Sequence, residues 1–524
     1  MYTSSFKLYF FFYIISSFVF LVSCKEDFYK NNSHADTSSS SIKNGKDLAA
    51  KYCQSCHLLP DPSLLDSKTW EKGVLPQMGP RLGIFFYNAQ RYPSAKNDLN
   101  LVGNFYPSKP ILSLEEWQNI LDYYTATSPD SLPAQHREHP IRQDQSLFTV
   151  QAPATSYSNS ATSFIKINTN DSLHPLIISD VVLEKTFVFN KNLKAIDSVT
   201  SGAVVNMEFN KTSMLICDIG VLNPNNGKFG KAQYMHINSS GKLKSDSVPL
   251  FKALQRPVQV SSVDLNNDGK TDYLICEFGF LTGSLSWMEN VGDNKFTRHV
   301  LRDLPGAIKA YVQDYNHDGL PDLWVLFAQG EEGIFLFTNK GNGQFTQEEV
   351  LRFPPVYGSS YFELTDFDKD GFPDIVYTCG DNADYSTILK PYHGVYIFLN
   401  DKTNHFKQRY FFPVNGCYKA IARDFDGDGD LDISAISFFA DYAKQPEEGF
   451  VYLKNTGNFN FLPYTIPEGK LGRWLTMDAG DFDGDGKIDL VLGNFSIGPV
   501  MEKSSVNWKN SPPFILLKNI GNNK

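Results

Sequence analysis

The sequence feature that most constrains the fold is an acidic nine-residue motif that recurs five times after residue 260 of the 524-residue chain. Each copy carries an acidic or amide side chain at positions one, three, five and nine, and a glycine at position six. The first residues of successive copies are 50, 52, 58 and 57 residues apart. Self-similarity at such a period is typical of repeat architectures built from one supersecondary unit.

The motif predicts a cation-binding turn. Oxygen ligands at positions one, three, five and nine, with a sharp turn at the glycine, form a cage for a hard cation such as Ca²⁺, and residue seven should add its backbone carbonyl. The five copies hold 19 of the 58 acidic residues, so their carboxylates would repel one another without cations. The alternative is an acid-rich turn without an ion. We predict up to five Ca²⁺ sites, with the ligands Asp264, Asn266, Asp268, Asp272; Asp314, Asn316, Asp318, Asp322; Asp366, Asp368, Asp370, Asp374; Asp424, Asp426, Asp428, Asp432; and Asp481, Asp483, Asp485, Asp489.

These repeats resemble the FG-GAP/VCBS family. The resemblance implies a β-propeller whose blades are four-stranded antiparallel sheets, with the calcium loop between the first two strands of a blade. Two weaker copies, around residues 167–174 and 207–220, have lost most of the ligands, so the interpretation is seven blades over residues 158–524. The segment Pro513–Asn519 is predicted to close the ring against the first blade and remove an exposed sheet edge.

The most specific chemical motif lies before the repeats, at Cys53-Gln-Ser-Cys56-His57. Two thiols at this spacing can add to the vinyl groups of one haem, and the adjacent His57 then binds the iron. The alternatives are a disulfide, a redox CxxC or a zinc site, but residues 58–128 contain no Cys or His to complete a zinc site. We predict one covalently bound haem c.

The residues around this motif resemble the class I cytochrome c fold over residues 44–128. A short helix at 46–52 leads into the Cys pair, and a capping box at Ser113–Glu116 opens a closing aromatic helix. Met78, in a Pro-flanked loop, is the predicted second axial ligand of the iron, the alternatives being a core Met or a five-coordinate iron. His136 and His139 are weaker candidates for that position.

The N-terminus predicts export. An apolar run follows Lys7 and ends before Cys24, which resembles the lipobox of bacterial lipoproteins, with Cys24 lipidated after removal of residues 1–23. The following Lys25-Glu-Asp resembles a surface-export signal, so we expect a lipid anchor in the outer membrane with a surface-facing protein, or otherwise a periplasmic one. The predicted organisation is therefore a signal peptide (1–23), a flexible tether (24–43), a small all-α cytochrome c-like domain (44–128), a linker (129–157) and an all-β propeller (158–524).

The function predicted from these parts is electron transfer by a membrane-anchored c-type cytochrome, with a propeller that docks a redox partner or ligand. The alternatives are a surface binding or adhesion propeller with an accessory haem, and a propeller oxidoreductase that passes electrons to its own haem. The formal charge of −10 disfavours non-specific nucleic-acid binding.

Residues that open the innermost strands predict an anionic or glycan ligand at the propeller mouth, unless they are merely solvated loop charges. These residues are Arg256, Lys309, Lys419, Arg473 and Trp474. Four further cysteines, at 217, 276, 379 and 417, are predicted to be buried free thiols, with disulfides as the alternative outside the cytoplasm.

Overall fold

The computed structural model describes residues 38–154, 157–169, 171, 173–210, 213–238, 242–383, 385–498 and 507–521. The predicted signal peptide, Cys24 and the Lys25-Glu-Asp segment lie outside these residues. No helix in the described ranges is both long enough and apolar enough to cross a bilayer.

The N-terminal region is built on two helices, Ser39–Tyr52 and Leu114–Thr127. They cross at Gly45, where a Cβ atom would lie only 1.8 Å from the carbonyl oxygen of Asn119, so glycine permits the close approach. Between them lie short helical turns and one small hairpin. Their bounds are Pro62–Leu64, Ser67–Thr69, Trp70–Val74, Leu75–Met78 and Gly79–Leu82 for the turns, and Phe86–Tyr87 and Gln90–Arg91 for the hairpin strands.

Two details of this region differ from the sequence prediction. The first helix begins at Ser39, inside the segment 24–43 that was predicted to be a flexible tether. The Ser38 hydroxyl caps this helix by accepting from the N–H of Ser41, and the Ser41 hydroxyl donates to Asn119 of the closing helix at 2.7 Å. The hairpin also means that the region is not purely helical. The capping box at Ser113 and Glu116 is confirmed.

The rest of the chain forms a seven-bladed β-propeller. Each blade is built on a four-stranded antiparallel sheet. In blades 1 to 6 these four strands follow one another in sequence from the innermost strand outwards, whereas the outer strand of blade 7 comes from residues before blade 1. The strands of blades 1 to 4 are as follows: blade 1, Thr162–Ile167, Leu176–Asp180, Lys185–Phe189 and Ala195–Thr200; blade 2, Val204–Phe209, Ser213–Asp218, Gly230–Ile237, Leu243–Ser245 and Phe251–Leu254; blade 3, Pro257–Val263, Asp272–Glu277, Ser284–Gly292 and Lys295–Arg302; blade 4, Ala307–Gln313, Asp322–Phe327, Gly333–Asn339 and Phe345–Arg352.

Blades 5 to 7 complete the ring. Their strands are as follows: blade 5, Ser359–Thr365, Asp374–Cys379, Gly394–Asn400 and Phe406–Pro413; blade 6, Cys417–Arg423, Asp432–Ser437, Phe450–Asn455 and Phe461–Thr465; blade 7, Trp474–Gly480, Asp489–Asn494 and Phe514–Asn519, with Phe148–Gln151 as its outer strand. The second strand of every blade is apolar and almost wholly buried, so the core consists of layers between neighbouring blades.

The closure of the ring corrects two predictions. The C-terminal strand Phe514–Asn519 does not pair with the first blade; it is the third strand of blade 7 and pairs with Phe148–Gln151. Arg142–Gln143 pairs in parallel with the outer strand of blade 6. Residues 129–157 are therefore not simply a linker, because they supply strands that cover the outer edges of two blades and satisfy their backbone groups.

Candidate functional site

The CxxCH motif lies at the end of the first helix. The N–H of Cys53 still donates to Ala49, and the chain then turns through an exposed Cys56 to a half-buried His57. Burial, together with the neighbouring Cys56, raises the pKa of the Cys53 thiol to about 11. The two cysteines are thus free thiols on one turn, open towards solvent on the Cys56 side.

The orientation of His57 is fixed by the backbone of the next residue. Its Nδ1 lies 2.9 Å from the carbonyl oxygen of Leu58, so Nδ1 donates a hydrogen bond and Nε2 is left with its lone pair. Burial lowers the pKa of His57, which favours the neutral ring that binds metals. A backbone acceptor on the distal nitrogen is the usual way in which proteins orient a ligating imidazole.

Met78 closes the short helix Leu75–Met78 and packs against the same aromatic core as Cys53. That core includes Trp70, Trp117 and Tyr124, all buried. Two free thiols and an imidazole with an available Nε2 on one turn, with a thioether packed on the same core as Cys53, are the donor types that a c-type haem needs, so the chemistry of the residues present fits the group.

The helical region is packed against the propeller. The Tyr392 hydroxyl of blade 5 donates to the Leu64 carbonyl at 3.0 Å, and Asn226 of blade 2 donates to Asp98 at 2.9 Å. Val356 joins the buried core of the helical region. The charges of Arg352 and Glu331, both on blade 4, also act on His57. The predicted haem site therefore lies beside the propeller rather than at the far side of its own region.

The five acidic loops lie where the repeat pattern places them, between the first and second strands of blades 3 to 7. In three loops, the carboxylates at positions one, three and nine each have one oxygen within 4.8 Å of the others. Ligands of one Ca²⁺ lie about 2.5 Å from the ion, so they are at most about 5 Å apart. The donor set therefore fits calcium in these loops, which contain Asp366, Asp368, Asp374; Asp424, Asp426, Asp432; and Asp481, Asp483, Asp489.

The other predicted ligands hold the shape of the loop. The carboxylate at position one accepts from the N–H of the position-six glycine at 2.8–3.0 Å in all five copies. In blades 3 and 4 the position-three residues are Asn266 and Asn316, which accept from the fifth residue. In every loop the carboxylate at position five accepts from the N–H of the seventh residue, and none of these carboxylates belongs to the three groups described above. The residues at position five are Asp268, Asp318, Asp370, Asp428 and Asp485.

The glycine at position six is required by the backbone. In all five loops its φ is between +81° and +95°, and a Cβ atom there would meet nothing within 4 Å. Only the left-handed conformation, and not crowding, therefore selects glycine at this position.

The ninth-position aspartate has a second role that sequence reasoning missed. In every one of the five loops one of its oxygens accepts from the N–H of an asparagine at the end of the third strand, at 2.7–2.8 Å. The sequence signal is an Asn-x-Gly element that recurs in four of these five blades, with its asparagine at 290, 339, 455 and 519, and its role is visible only in the folded blade. Burial raises the pKa of these carboxyls, to about 6 for Asp374 and Asp489 and about 7 for Asp432.

The residues predicted to line the propeller mouth divide into two groups. Arg256, Arg473 and Trp474 are buried: Arg473 donates to the carbonyls of Phe438 and Ile497 at 3.1 and 3.0 Å, and the indole of Trp474 donates to Gly469 at 2.6 Å. Arg256 likewise donates to backbone carbonyls. These three side chains hold loops together, whereas Lys309 and Lys419 face the central channel.

All four propeller cysteines are buried and unpaired, and no disulfide occurs among the described residues. Burial raises the pKa of each of these thiols. This matches the prediction of buried free thiols.

Comparison with known proteins supports the repeats and the propeller. Residues 264–325 and 314–377 match the FG-GAP-like repeat family, so the chain carries FG-GAP repeats in a seven-bladed propeller. Cartilage acidic protein 1 of Mus musculus is 29% identical over 184 residues, which cover 32% of this chain and 26% of that protein. The chain therefore matches only about a quarter of the length of this relative.

Solved structures similar to this chain are distant in sequence. The N-terminal domain of Nup159 is 11% identical, with a TM-score of 0.41, and the match covers 73% of this chain and 98% of that one. A catalytically inactive virginiamycin B lyase from Staphylococcus aureus is 11% identical, with a TM-score of 0.42, and covers 71% of this chain and 99% of its own. The dihydro-heme d1 dehydrogenase NirN is 10% identical, with a TM-score of 0.37, over 86% of this chain and 84% of its own.

Proposed function

We propose that this protein is an exported, lipid-anchored c-type cytochrome for electron transfer, with a calcium-stabilised propeller that docks its partner or ligand. In this proposal Cys53 and Cys56 would attach one haem to residues 44–128, and His57 and Met78 would bind its iron. The lipid is on Cys24. The protein faces outwards from the outer membrane or, as the alternative, lies in the periplasm. The observation that carries the proposal is the CxxCH motif with His57 oriented by Leu58.

The residues have separate tasks in this proposal. The two thiols attach the group covalently, and the Leu58 carbonyl holds the proton on Nδ1 so that Nε2 remains a ligand. The apolar core against which Met78 packs excludes water from that side. When bound, the haem supplies a one-electron couple, and a thioether ligand raises its potential relative to a second imidazole.

The proposal is tested by reduced-minus-oxidised visible spectra of the mature protein, produced with haem-maturation machinery. The wild type should give a c-type α band, and Met78→Ala should lose the weak long-wavelength band of Met-ligated ferric haem. Met288→Ala, which alters a half-buried methionine of blade 3, is the matched control and should leave the spectrum unchanged. A protein without haem would refute the proposal, and a spectrum unchanged by Met78→Ala would refute the role of Met78.

A second candidate is an oxidoreductase in which the propeller passes electrons to its own haem. Its support is the contact of the helical region with blades 2, 4 and 5, and the action of the Arg352 and Glu331 charges on His57. Reduction of the haem by a substrate without a partner protein would favour this candidate. The third candidate is a surface adhesion propeller with an accessory haem. It would be supported by glycan or protein binding whose affinity is the same for the oxidised and the reduced protein.

A further inference from the structure

The innermost strands of the seven blades carry a ring of equivalent positions around the central channel. Near its start, each innermost strand has one residue that is skipped in the pairing with the second strand. The residue directly after the skipped one occupies the equivalent position in every blade. We call these positions the bulge ring. Its members are Phe164, Asn206, Gln259, Lys309, Tyr361, Lys419 and Thr476.

Charged side chains from three other blades act on Lys309 of the bulge ring. They are Lys166 of blade 1, Glu363 of blade 5 and Asp478 of blade 7. All of these residues lie on innermost strands, and blades on opposite sides of a propeller face one another only across the channel, so their charges act on one another across it. Lys419 of blade 6 is acted on by Asp478, Lys309, Lys166 and Glu363 in the same way.

The innermost strands carry three carboxylates at equivalent positions, Glu208, Glu363 and Asp478, and each already has partners. Glu208 accepts from the N–H of Ser262 at 2.8 Å and from the Ser262 hydroxyl. Asp478 pairs with Lys166 at 3.2 Å and accepts from the N–H of Ile167 at 2.8 Å. Glu363 pairs with Arg423 at 2.8 Å and accepts from the N–H of Ala422 at 2.9 Å. The Asp478–Lys166 and Glu363–Arg423 pairs cancel in charge, whereas Glu208 on blade 2 has no ion pair within the described ranges and contributes one negative charge.

Lys309 and Lys419 are left without a carboxylate. Neither has an ion pair with any residue in the described ranges. Lys419 donates once, to the Met477 carbonyl at 2.8 Å, and its ammonium lies 4.8 Å from the ring centre of Tyr361. The Lys309 ammonium lies 4.8 Å from the ring centre of Tyr311. An ammonium has three donors, so both lysines have unused hydrogen-bonding capacity as well as unneutralised charge.

The tyrosines complete the site. The Tyr311 and Tyr361 hydroxyls lie 3.1 Å apart, so one donates to the other. Tyr361, at the bulge ring between the two lysines in blade order, therefore presents a polar edge as well as an aromatic face to the channel.

We infer that the central channel binds a small oxyanion, a carboxylate or a sulfate group, between the ammonium groups of Lys309 and Lys419 and beside the Tyr311–Tyr361 pair. Such a group would give the two lysines the anionic partner that neither has and would accept their remaining donors. The inference deepens the proposed docking role of the propeller and needs no haem. Arg256 and Arg473, which were predicted to recognise the ligand, instead hold loops at the channel mouth.

The anion should also change the protonation of the site. Burial lowers the pKa of Lys309, and it lowers that of Lys419 to about 8. A bound anion favours the charged ammonium and raises both pKa values, so binding above pH 8 takes up protons, and affinity falls as the pH rises through this range. Lys166, Glu363 and Asp478 act on both lysines. The other charged groups of the innermost strands are Glu208 and Arg423.

The test uses sulfate, whose charge is constant from neutral to alkaline pH, and the full-length mature protein. Calorimetric titration at constant ionic strength, with chloride as the reference anion, should show saturable binding that weakens at least tenfold from pH 7 to pH 9.5. Near pH 8.5 the measured heat should change with the ionisation enthalpy of the buffer, which reports the proton uptake.

The variant carrying Lys309→Gln and Lys419→Gln should lose at least tenfold in sulfate affinity and lose the buffer-dependent heat. Lys252→Gln, which changes an exposed lysine on an outer strand of blade 2, is the matched control and should bind as the wild type does. An unchanged circular dichroism spectrum and haem spectrum show that the double variant is folded. They also separate this test from that of the haem, because loss of haem leaves the channel site intact.

Two outcomes would overturn the inference. The first is the absence of saturable binding at pH 7. The second is equal stabilisation of the wild type and the double variant by sulfate, since exclusion of sulfate from protein surfaces stabilises any fold. Competition by malonate would identify a carboxylate as the natural group, whereas binding of sulfate that malonate does not displace would identify a sulfate ester.

Discussion

Blades 3 to 7 and blades 1 and 2 share the same strand arrangement but differ in the loop after the innermost strand. In blades 3 to 7 that loop is the acidic nine-residue motif. In blade 1 the loop also spans eight residues between the strands but lacks the acidic pattern, and Asp171 accepts from the backbone of Leu173 and pairs with His174. In blade 2 the chain reverses after Asn210, whose N–H donates to Ser213 at 2.8 Å.

The asparagine at the end of the third strand survives in all seven blades. In blades 1 and 2 it is Asn190 and Asn238, and in both its side chain still accepts from a backbone N–H within its own turn. What these two blades lack is the buried ninth-position aspartate that accepts from the asparagine N–H. Blades 1 and 2 therefore show that the four-stranded blade forms from its strands and this asparagine turn without the acidic motif. The acidic cage is an addition that ties the first loop of a blade to the end of its third strand.

The largest expected effect is that of calcium. A chelator should lower the melting temperature of the protein, because each site filled at a hundredfold excess over its dissociation constant adds about 2.7 kcal/mol to the free energy of unfolding. Calorimetry with and without chelator measures the change. Asp424→Ala should reduce the number of bound calcium ions by one, whereas Asp171→Ala in blade 1 should leave that number unchanged. If both variants bind as many ions as the wild type, the prediction that the first loop of blade 6 binds calcium and that of blade 1 does not is wrong.

A smaller effect is expected from the ninth position alone, measured in chelator. The Asp432 carboxylate accepts from the N–H groups of Phe425 and Asn455 and from the Tyr452 hydroxyl, all buried. Asp432→Ala leaves these donors without an acceptor, so we expect it to lower the free energy of unfolding by about 3 kcal/mol. Asp430→Ala, at the seventh position of the same loop, should change it by less than about 0.5 kcal/mol. Equal losses for the two variants in urea unfolding would contradict the assigned role.

The smallest effect separates the asparagines themselves. Asn519 is buried and donates to the Phe425 carbonyl of the neighbouring blade at 2.7 Å and to Ile488 at 3.1 Å. Asn190 is half-buried and accepts only local N–H groups. We expect Asn519→Ala to cost about 2 kcal/mol and Asn190→Ala about half of that. Urea unfolding of the two single variants in chelator gives the order, and a reversed order would show that the contact between blades adds nothing.

Much of the candidate site could be predicted from the sequence because its chemistry is local. The cages span nine residues and the CxxCH motif five, so their donor types, their spacing and the left-handed glycine are encoded within single turns. The second role of Asp432 could not be predicted, because its partner Asn455 lies 23 residues away and is aligned only by strand pairing. The structure gives Arg256 and Arg473 a role other than the predicted ligand binding for a related reason. Their position at the start of a strand does not reveal which carbonyls the neighbouring loops present.

The sequence by itself determined the repeat unit, the number of blades, the five acidic turns and the order of the two regions, since each depends on patterns within some fifty residues. Only the tertiary structure decided how the ring closes and what lies inside it. Pairing of Phe148–Gln151 with Phe514–Asn519 joins segments more than 360 residues apart, and the channel gathers Lys166, Lys309 and Lys419 from three different blades. Such contacts depend on the twist and number of all the intervening sheets, so no single stretch of the chain encodes them.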